Sequence, residues 1–214
     1  MAMQNLDLEE QEKLEELKAW WRQYGNLILM AIIAASLAVA GWGGWRWYQR
    51  NEAQHASQLY EALAAAARAG DAKALRDAGG ALTENYPRTL HASMGALAAA
   101  RFHFDRGELK SARAQLQWVI ERSAAEDLRD LARLRLAALL LDEKEYDAAL
   151  KLLEAKPLEA YAAQYAALQG DVLAAKNQPA EARAAYQLAL EKAGKEQGAA
   201  FSESVRMRLE ALGG

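Results

Sequence analysis

The chain has 214 residues, a formal net charge of −3 and no cysteine. The lack of cysteine excludes disulfides, thiolate metal sites and cysteine nucleophiles. The first 26 residues account for the whole of the net negative charge. The rest of the chain is therefore formally neutral and does not favour nucleic acid as a partner.

The first 26 residues predict an acidic amphipathic head. From Leu6 to Tyr24 the apolar side chains fall on one face of a helix and the acids on the other, and Gly25-Asn26 predicts a break or bend. Such a helix either lies on the cytoplasmic membrane surface or against a partner, or is solvated except for its interfacial aromatics. The apolar face consists of Leu14, Leu17, Trp21 and Tyr24.

Residues 27–48 predict a transmembrane helix. Nineteen residues from Leu27 to Trp45 carry no charge and only one polar side chain, Ser36. At about 1.5 Å per residue they span roughly 28 Å, close to the ~30 Å hydrocarbon core of a bilayer. Aromatic rings prefer the membrane interfaces, and they stand at both ends of this run. The predicted interface residues are Trp20, Trp21, Tyr24, Trp42, Trp45, Trp47 and Tyr48.

Two other readings of this run are a buried core helix and a cleaved signal peptide. Ala38-Val39-Ala40 before Gly41 resembles a cleavage site, but the long head, with six acids and three bases, is unlike the short basic segment of a signal peptide. We therefore favour a retained anchor. The numbers of basic residues near the two ends of the run are almost equal, so they barely decide the topology. A short head normally stays in the cytoplasm while a long tail is exported, and we therefore predict a cytoplasmic N-terminus with the domain on the other side of the membrane.

One face of the predicted span carries a strip of small residues. Ser36, Ala40 and Gly44 recur at every fourth position, which would let another transmembrane helix approach closely. We therefore predict a helix-helix contact at these three positions. Small residues are also common in membrane helices that make no such contact.

Small residues also recur along 49–214, in the pattern of paired helices. Each of four alanines stands early in a predicted second helix, with another small residue twelve positions earlier in the helix before it. The second-helix positions are Ala74, Ala112, Ala149 and Ala182, and the first-helix positions are Ala62, Ala100, Ala137 and Gly170.

Turn residues support the same pairing. Polar turns stand within the pairs at 70–71, 106–108, 142–145 and 176–179, while Pro87 and Pro157 stand between successive pairs. A helix-turn-helix unit repeated with a period near 34 predicts a tetratricopeptide-like α-solenoid over 49–214. The amphipathic stretch from Phe201 to Leu212 predicts its C-terminal capping helix. The predicted fold class is therefore all-α, with a single N-terminal transmembrane helix.

Repeat arrays usually bind partners on the surface formed by the first helix of each pair. Several apolar side chains fall on that surface in the predicted register, so they either line a groove for an apolar segment of another protein or belong to the core in a register displaced by one. The predicted groove residues are Met94, Leu97, Arg101, Phe104, Leu131, Leu134 and Leu141.

No pattern in the chain predicts catalysis. His55, His91 and His103 are scattered without acidic residues at metal-ligand spacing, and no serine stands in a nucleophile turn. The carboxylates of 142–145 stand in a polar turn, where solvation explains them. We predict no enzyme activity, no cofactor and no metal.

The order of these features resembles the bacterial YfgM family. An acidic head, the aromatic cluster 20–26, a single span, the cluster 44–48 and a degenerate tetratricopeptide-like domain follow one another as in that family. The resemblance implies an ancillary subunit of the SecYEG translocon, anchored in the inner membrane with a periplasmic domain and associated with the membrane chaperone PpiD. It further implies a role in passing exported polypeptides to periplasmic chaperones.

Other functions remain compatible with the same architecture. One is a membrane-anchored adaptor or regulator of another envelope process, such as a stress response, with a different groove ligand. Another is an enzyme, which would need convergent titratable groups in a concave site.

Overall fold

The computed structural model of the protein describes residues 8–194 and 198–213, with side chains from Lys13 onward. These residues form helices and no strand, which confirms the all-α prediction. The helices are α1 (Leu8–Ala69), α2 (Ala72–Asn85), α3 (Leu90–Asp105), α4 (Leu109–Arg122), α5 (Glu126–Asp142), α6 (Tyr146–Leu153), α7 (Glu159–Ala175), α8 (Pro179–Lys192) and α9 (Gly198–Ala211).

The chain divides into two compact units, Met1–Asn51 and Glu52–Gly214. Helix α1 supplies residues to both of them. Residues 1–7 of the predicted head lie outside the described residues. The finer division into 1–26, 27–48 and 49–214 stays a prediction.

The predicted break at Gly25-Asn26 is wrong, because α1 runs through both residues. Gly25 instead makes room for an aromatic ring. A Cβ atom at this position would stand 3.0 Å from Cε2 of Trp21, a tight contact, so glycine lets that indole lie close against the helix backbone. Glycine lowers helix propensity by about 1 kcal/mol but keeps its N–H donor, so the helix continues.

The apolar part of α1 is long and apolar enough to cross a membrane. Its most apolar window is 0% buried within the protein. A core helix of a soluble domain would be covered by other elements, so this exposure argues against that reading of the run.

Helix α1 ends where the sequence predicts the first turn. Gly70 adopts a φ of +70°, a left-handed conformation that suits a residue without a side chain. Asp71 then caps α2, because its carboxylate accepts hydrogen bonds from the backbone N–H groups of Lys73 and Ala74, both at 3.0 Å. The turns before α4, α6 and α8 also match the predicted ones.

The second unit is built from four helix pairs followed by α9. Its buried side chains form three clusters along the array, the first around Leu63 and Leu82, the second around Leu136 and Leu140, and the last around Tyr186. Helix α9 contributes the fully buried Val205 to the last cluster, as expected of a capping helix.

The small-residue register is wrong in the first pair. Ala62 is exposed and Ala74 is half-buried, whereas the next residues along, Leu63 and Leu75, are almost fully buried. The buried contact positions of the array are therefore Leu63, Ala100, Ala137 and Gly170 in the first helices, and Leu75, Ala112, Ala149 and Ala182 in the second helices.

Gly170 allows a close approach at one of these positions. A Cβ atom there would stand 2.4 Å from Cε1 of Tyr186, whose ring is buried between α7 and α8. The Tyr186 hydroxyl donates to Asp171 at 2.8 Å, which holds the ring in place. Only glycine at position 170 allows this packing.

Candidate partner-binding site

A cavity of about 250 Å³ lies between α3, α4 and α5. Its inner wall is apolar and buried, and its outer wall carries exposed side chains, so the cavity opens to solvent. The buried part is formed by Ala100, Ala112, Leu116 and Leu139, and the exposed part by Arg101, Phe104, Arg135, Ala138 and Asp142.

Small residues create the space. Ala100 of α3 and Ala112 of α4 are buried where the two helices of this pair meet, and each ends at its Cβ atom. Ala138 on α5 is also an alanine and is exposed. Larger side chains at these three positions would fill the cavity.

Charged groups of both signs surround the opening. Arg101 is paired with Asp105 on its own helix, with 2.8 Å between Nε and Oδ2. Arg135 and Asp142 form no ion pair with another described residue. They are seven residues apart on α5, which is roughly 10 Å at about 1.5 Å per residue.

The structure distributes the predicted groove residues between the cavity and the core, the two alternatives that the sequence left open. Arg101 and Phe104 line the cavity, and Phe104 is 41% exposed. Leu97 is a core residue with 6% exposure, and Met94 is half-buried. The three α5 residues of the prediction are half-buried and pack on the core cluster that includes side chains of α7: Leu131, Leu134 and Leu141.

This division has a geometric cause. A helix in a stacked array presents one flank to the preceding helix and the opposite flank to the next one. Most residues at equivalent repeat positions therefore face different neighbours, although the equivalent residues Arg101 and Ala138 both line the cavity. The α5 wall uses Arg135, Ala138 and Asp142, which the sequence reasoning missed although their spacing of three and four residues places them on one helix face.

A buried histidine stabilises the turn beside Phe104. His103 is 4% exposed, and its Nδ1 lies 2.6 Å from Oε2 of Glu108, which precedes α4. Hydrogen bonding to His103, and then to Arg106, holds the pKa of Glu108 below its ordinary value. This contact joins the end of α3 to the start of α4 and so helps to fix the corner of the cavity.

A buried carboxylate fixes α5 from its other side. Asp130 is 1% exposed and accepts hydrogen bonds from the Leu158 backbone N–H at 2.8 Å, from Arg133 at 2.8 Å and from the Tyr165 hydroxyl at 3.2 Å. Burial, and then the charge of Asp130, raise the pKa of Tyr165 well above its ordinary value. The network ties α5 to α7 and to the segment before it.

The three residues of the predicted helix-helix contact lie on the exposed surface of α1. The hydroxyl of Ser36 donates to the Ile32 carbonyl at 2.8 Å, so it is satisfied within its own helix. A Cβ atom at Gly44 would meet no atom within 4 Å, and Ala40 is exposed as well. The helix-helix contact at these positions stays a prediction.

The predicted interface aromatics are all exposed in the structure. The rings of Trp20 and Tyr24 lie 5.7 Å apart between centroids, and the guanidinium of Arg46 lies 5.9 Å from the centroid of the Trp42 ring. Their placement at membrane interfaces stays a prediction.

The chain matches a family and several curated relatives. The model of the tetratricopeptide repeat-like domain family matches residues 18–214. A Neisseria gonorrhoeae protein named ancillary SecYEG translocon subunit is 32% identical over 96% of this chain and 98% of its own length. An Escherichia coli protein with the same name is 29% identical over 95% and 96%, and one from Haemophilus influenzae is 28% identical over 85% and 89%.

The chain belongs to the ancillary SecYEG translocon subunit family. This confirms the resemblance to YfgM. No solved structure matches the chain significantly. One long apolar helix, together with relatives in this family, fits a single-pass protein of the inner membrane.

The described part of this family member offers no metal site, since no group of three or more His, Asp or Glu side chains is arranged to hold an ion there. The residues that distinguish the cavity between α3 and α5 are guanidinium, carboxylate, aromatic and aliphatic groups. Such a set can bind a side chain and its charged neighbours.

Proposed function

We propose that this protein is a membrane-anchored scaffold that associates with the protein-export translocon and helps pass exported polypeptides to periplasmic chaperones. The observation that carries the proposal is the alignment with the relatives. It covers 96% of this chain and 98% of the Neisseria gonorrhoeae subunit, so the anchor and the repeat domain are both matched. A likeness confined to the repeats would support only a general interaction domain.

The proposed partners are SecYEG and the membrane chaperone PpiD. SecYEG appears in the name of each relative, and PpiD comes from the resemblance to the YfgM family. In the proposed orientation the N-terminus is cytoplasmic and the repeat domain is periplasmic, because a short head stays inside while a long tail is exported.

Two surfaces would then do different work. Ser36, Ala40 and Gly44 would contact another transmembrane helix, where small residues permit a close approach. The cavity beside Phe104 would face polypeptides in the periplasm. The anchor thus keeps the repeat domain near the channel exit, which raises its effective concentration there.

Copurification tests the association. The full chain, tagged at its C-terminus, is purified from membranes in a mild detergent, and the proteins that copurify with it are identified by mass spectrometry. Recovery of the channel and the chaperone supports the proposal. Recovery of one other envelope protein, without the channel, contradicts it and favours an adaptor or regulator of another process.

Cysteine labelling tests the orientation. The chain has no cysteine, so a single cysteine placed at position 18 or at position 84 is the only reactive thiol. We expect a membrane-impermeant maleimide to label position 84 but not position 18 in spheroplasts. The reverse pattern would contradict the proposed topology.

A further inference from the structure

We propose that the cavity between α3, α4 and α5 binds an extended polypeptide segment in which one large apolar side chain lies between an acidic and a basic residue about three positions apart. This inference rests on the proposed function for the source of the polypeptide. It adds the chemistry by which the segment is recognised.

The cavity has the size and lining for one apolar side chain. Its volume is about 250 Å³, and an apolar protein cavity of about 150 Å³ already holds a benzene ring. Leu116 and Leu139 are buried in its wall, with 3% and 2% exposure. Phe104 lines the cavity and is 41% exposed, so its ring can contact a side chain that enters.

The charges at the rim are complementary to a segment with charges of both signs. Arg135 presents a guanidinium and Asp142 a carboxylate, and neither forms an ion pair with another described residue. A partner carboxylate can pair with Arg135, and a partner ammonium group with Asp142. Arg101 is occupied by Asp105 and is not assigned to the partner.

The distance between these two groups sets the spacing in the partner. Arg135 and Asp142 are seven residues apart on one helix, roughly 10 Å along its axis. An extended chain in the polyproline II conformation rises about 3.1 Å per residue and repeats its side-chain direction every third residue. Charged residues about three positions apart therefore span this distance and point the same way. Ala138 lies between Arg135 and Asp142, where the apolar side chain would enter.

Peptide binding tests the proposal with the purified full chain in detergent micelles and without any translocon. The probes are fluorescein-labelled decapeptides of Gly and Ser around a central Glu-Phe-Ser-Lys, and binding is read by fluorescence anisotropy. Replacing Phe by Ala should weaken binding about tenfold, because burial of a large apolar side chain is lost. Central Lys-Phe-Ser-Lys and Glu-Phe-Ser-Glu should each bind about threefold to fivefold more weakly, as expected for the loss of an exposed pair.

Two variants of the protein locate the site. Ala138→Trp fills the cavity and should weaken binding about tenfold, while Ala184→Trp places the same ring on an exposed position of α8 and should not change it. Arg135→Glu makes the unpaired rim charges both acidic, so this variant should prefer Lys-Phe-Ser-Lys, whereas Arg88→Glu, in the loop before α3, should keep the wild-type order. A gain of binding cannot come from unfolding.

Several results would overturn the inference. These are equal binding by the Ala138→Trp and wild-type proteins, an unchanged peptide order in Arg135→Glu, and tighter binding when the charges are seven positions apart, as in a helical ligand. The mass of the protein-detergent complex is also compared between wild type and Ala138→Trp. If it falls by half in the variant, the cavity of the wild-type protein is occupied by a second copy of the chain and not by a peptide. Loss of copurification with the channel leaves these results unaffected and bears only on the proposed function.

Discussion

Replacing Asp130 by alanine should destabilise the repeat domain by about 3 kcal/mol. The carboxylate is 1% exposed and accepts from the Leu158 N–H and from Arg133, both at 2.8 Å. Hydrogen bonds to a charged group contribute about 1.5–3 kcal/mol each, and partial exposure of both donors favours the lower figure. The Tyr165 hydroxyl can turn to the Asp130 carbonyl, 3.3 Å away, and so adds little.

The measurements are urea unfolding of the full chain in micelles, followed by circular dichroism, and hydrogen exchange of the segment 154–158. We expect faster exchange at Leu158 in Asp130→Ala and roughly half the loss of stability in Asp130→Asn. The amide keeps the volume but has a single oxygen, so it keeps only one of the two contacts that the separate carboxylate oxygens make with the Leu158 N–H and Arg133. Asp127→Ala, exposed on the same helix, is the control and should cost less than about 1 kcal/mol.

A free energy of unfolding for Asp130→Ala within about 1 kcal/mol of the wild-type value, the size of an ordinary surface effect, would refute a stabilising role for this network. Unchanged exchange at Leu158 would also refute it, because the hydrogen bond at 2.8 Å would then not hold that segment.

Three further predictions concern packing and pH. Gly170→Ala should lower the melting temperature, because its Cβ atom would stand 2.4 Å from the Tyr186 ring, and overpacking of about 1–3 kcal/mol outweighs the gain in helix propensity; in a Tyr186→Leu background the same change should be neutral or stabilising. Gly80→Ala should stabilise by about 1 kcal/mol in urea unfolding, since no atom lies within 4 Å of the new Cβ atom; a loss would contradict the geometry. Hydrogen bonding to His103 lowers the pKa of Glu108 from 4.5, so its stabilisation is present above that pH and is lost as the pH falls through the lowered pKa. The difference in urea midpoint between wild type and Glu108→Gln should therefore be present at neutral pH and disappear as the pH falls below the lowered pKa of Glu108; a difference that does not change with pH would contradict this assignment.

Helix pairs and turns could be predicted from the sequence because their signals are local. Gly70 with Asp71 ends one helix and caps the next, and Pro179 stands in the first turn of α8. The apolar run in α1 could be predicted equally well, because its length and lack of charge can be recognised without knowledge of the tertiary structure.

The first-pair register could not be predicted in the same way. The later pairs have small residues where the two helices of a pair meet. The first pair has Leu63 and Leu75 at the equivalent contact, and a search for small residues does not find them. The predicted break at Gly25 was wrong for a similar reason. The ring of Trp21 packs against this glycine, and this contact depends on a side-chain conformation that no sequence motif shows.

Only part of the candidate site could be predicted from the sequence. Arg101 and Phe104 follow from the exposed face of α3, but Arg135 and Asp142 belong to the flank of α5 that faces back toward α3, and this flank depends on how the pairs stack. Asp130 gave no signal either, since a carboxylate in a helix is usually solvated and only the fold brings Leu158 and Tyr165 to it.

The central claim is that α1 holds this protein beside the protein-export channel. The most direct test places a photo-crosslinking amino acid at position 40, within the small-residue strip, and in a matched control at position 38 on another face of the helix. After irradiation of intact membranes, the claim predicts crosslinks from position 40 to a channel subunit and few from position 38. Crosslinks from position 40 to lipid and to other copies of this chain alone would contradict it.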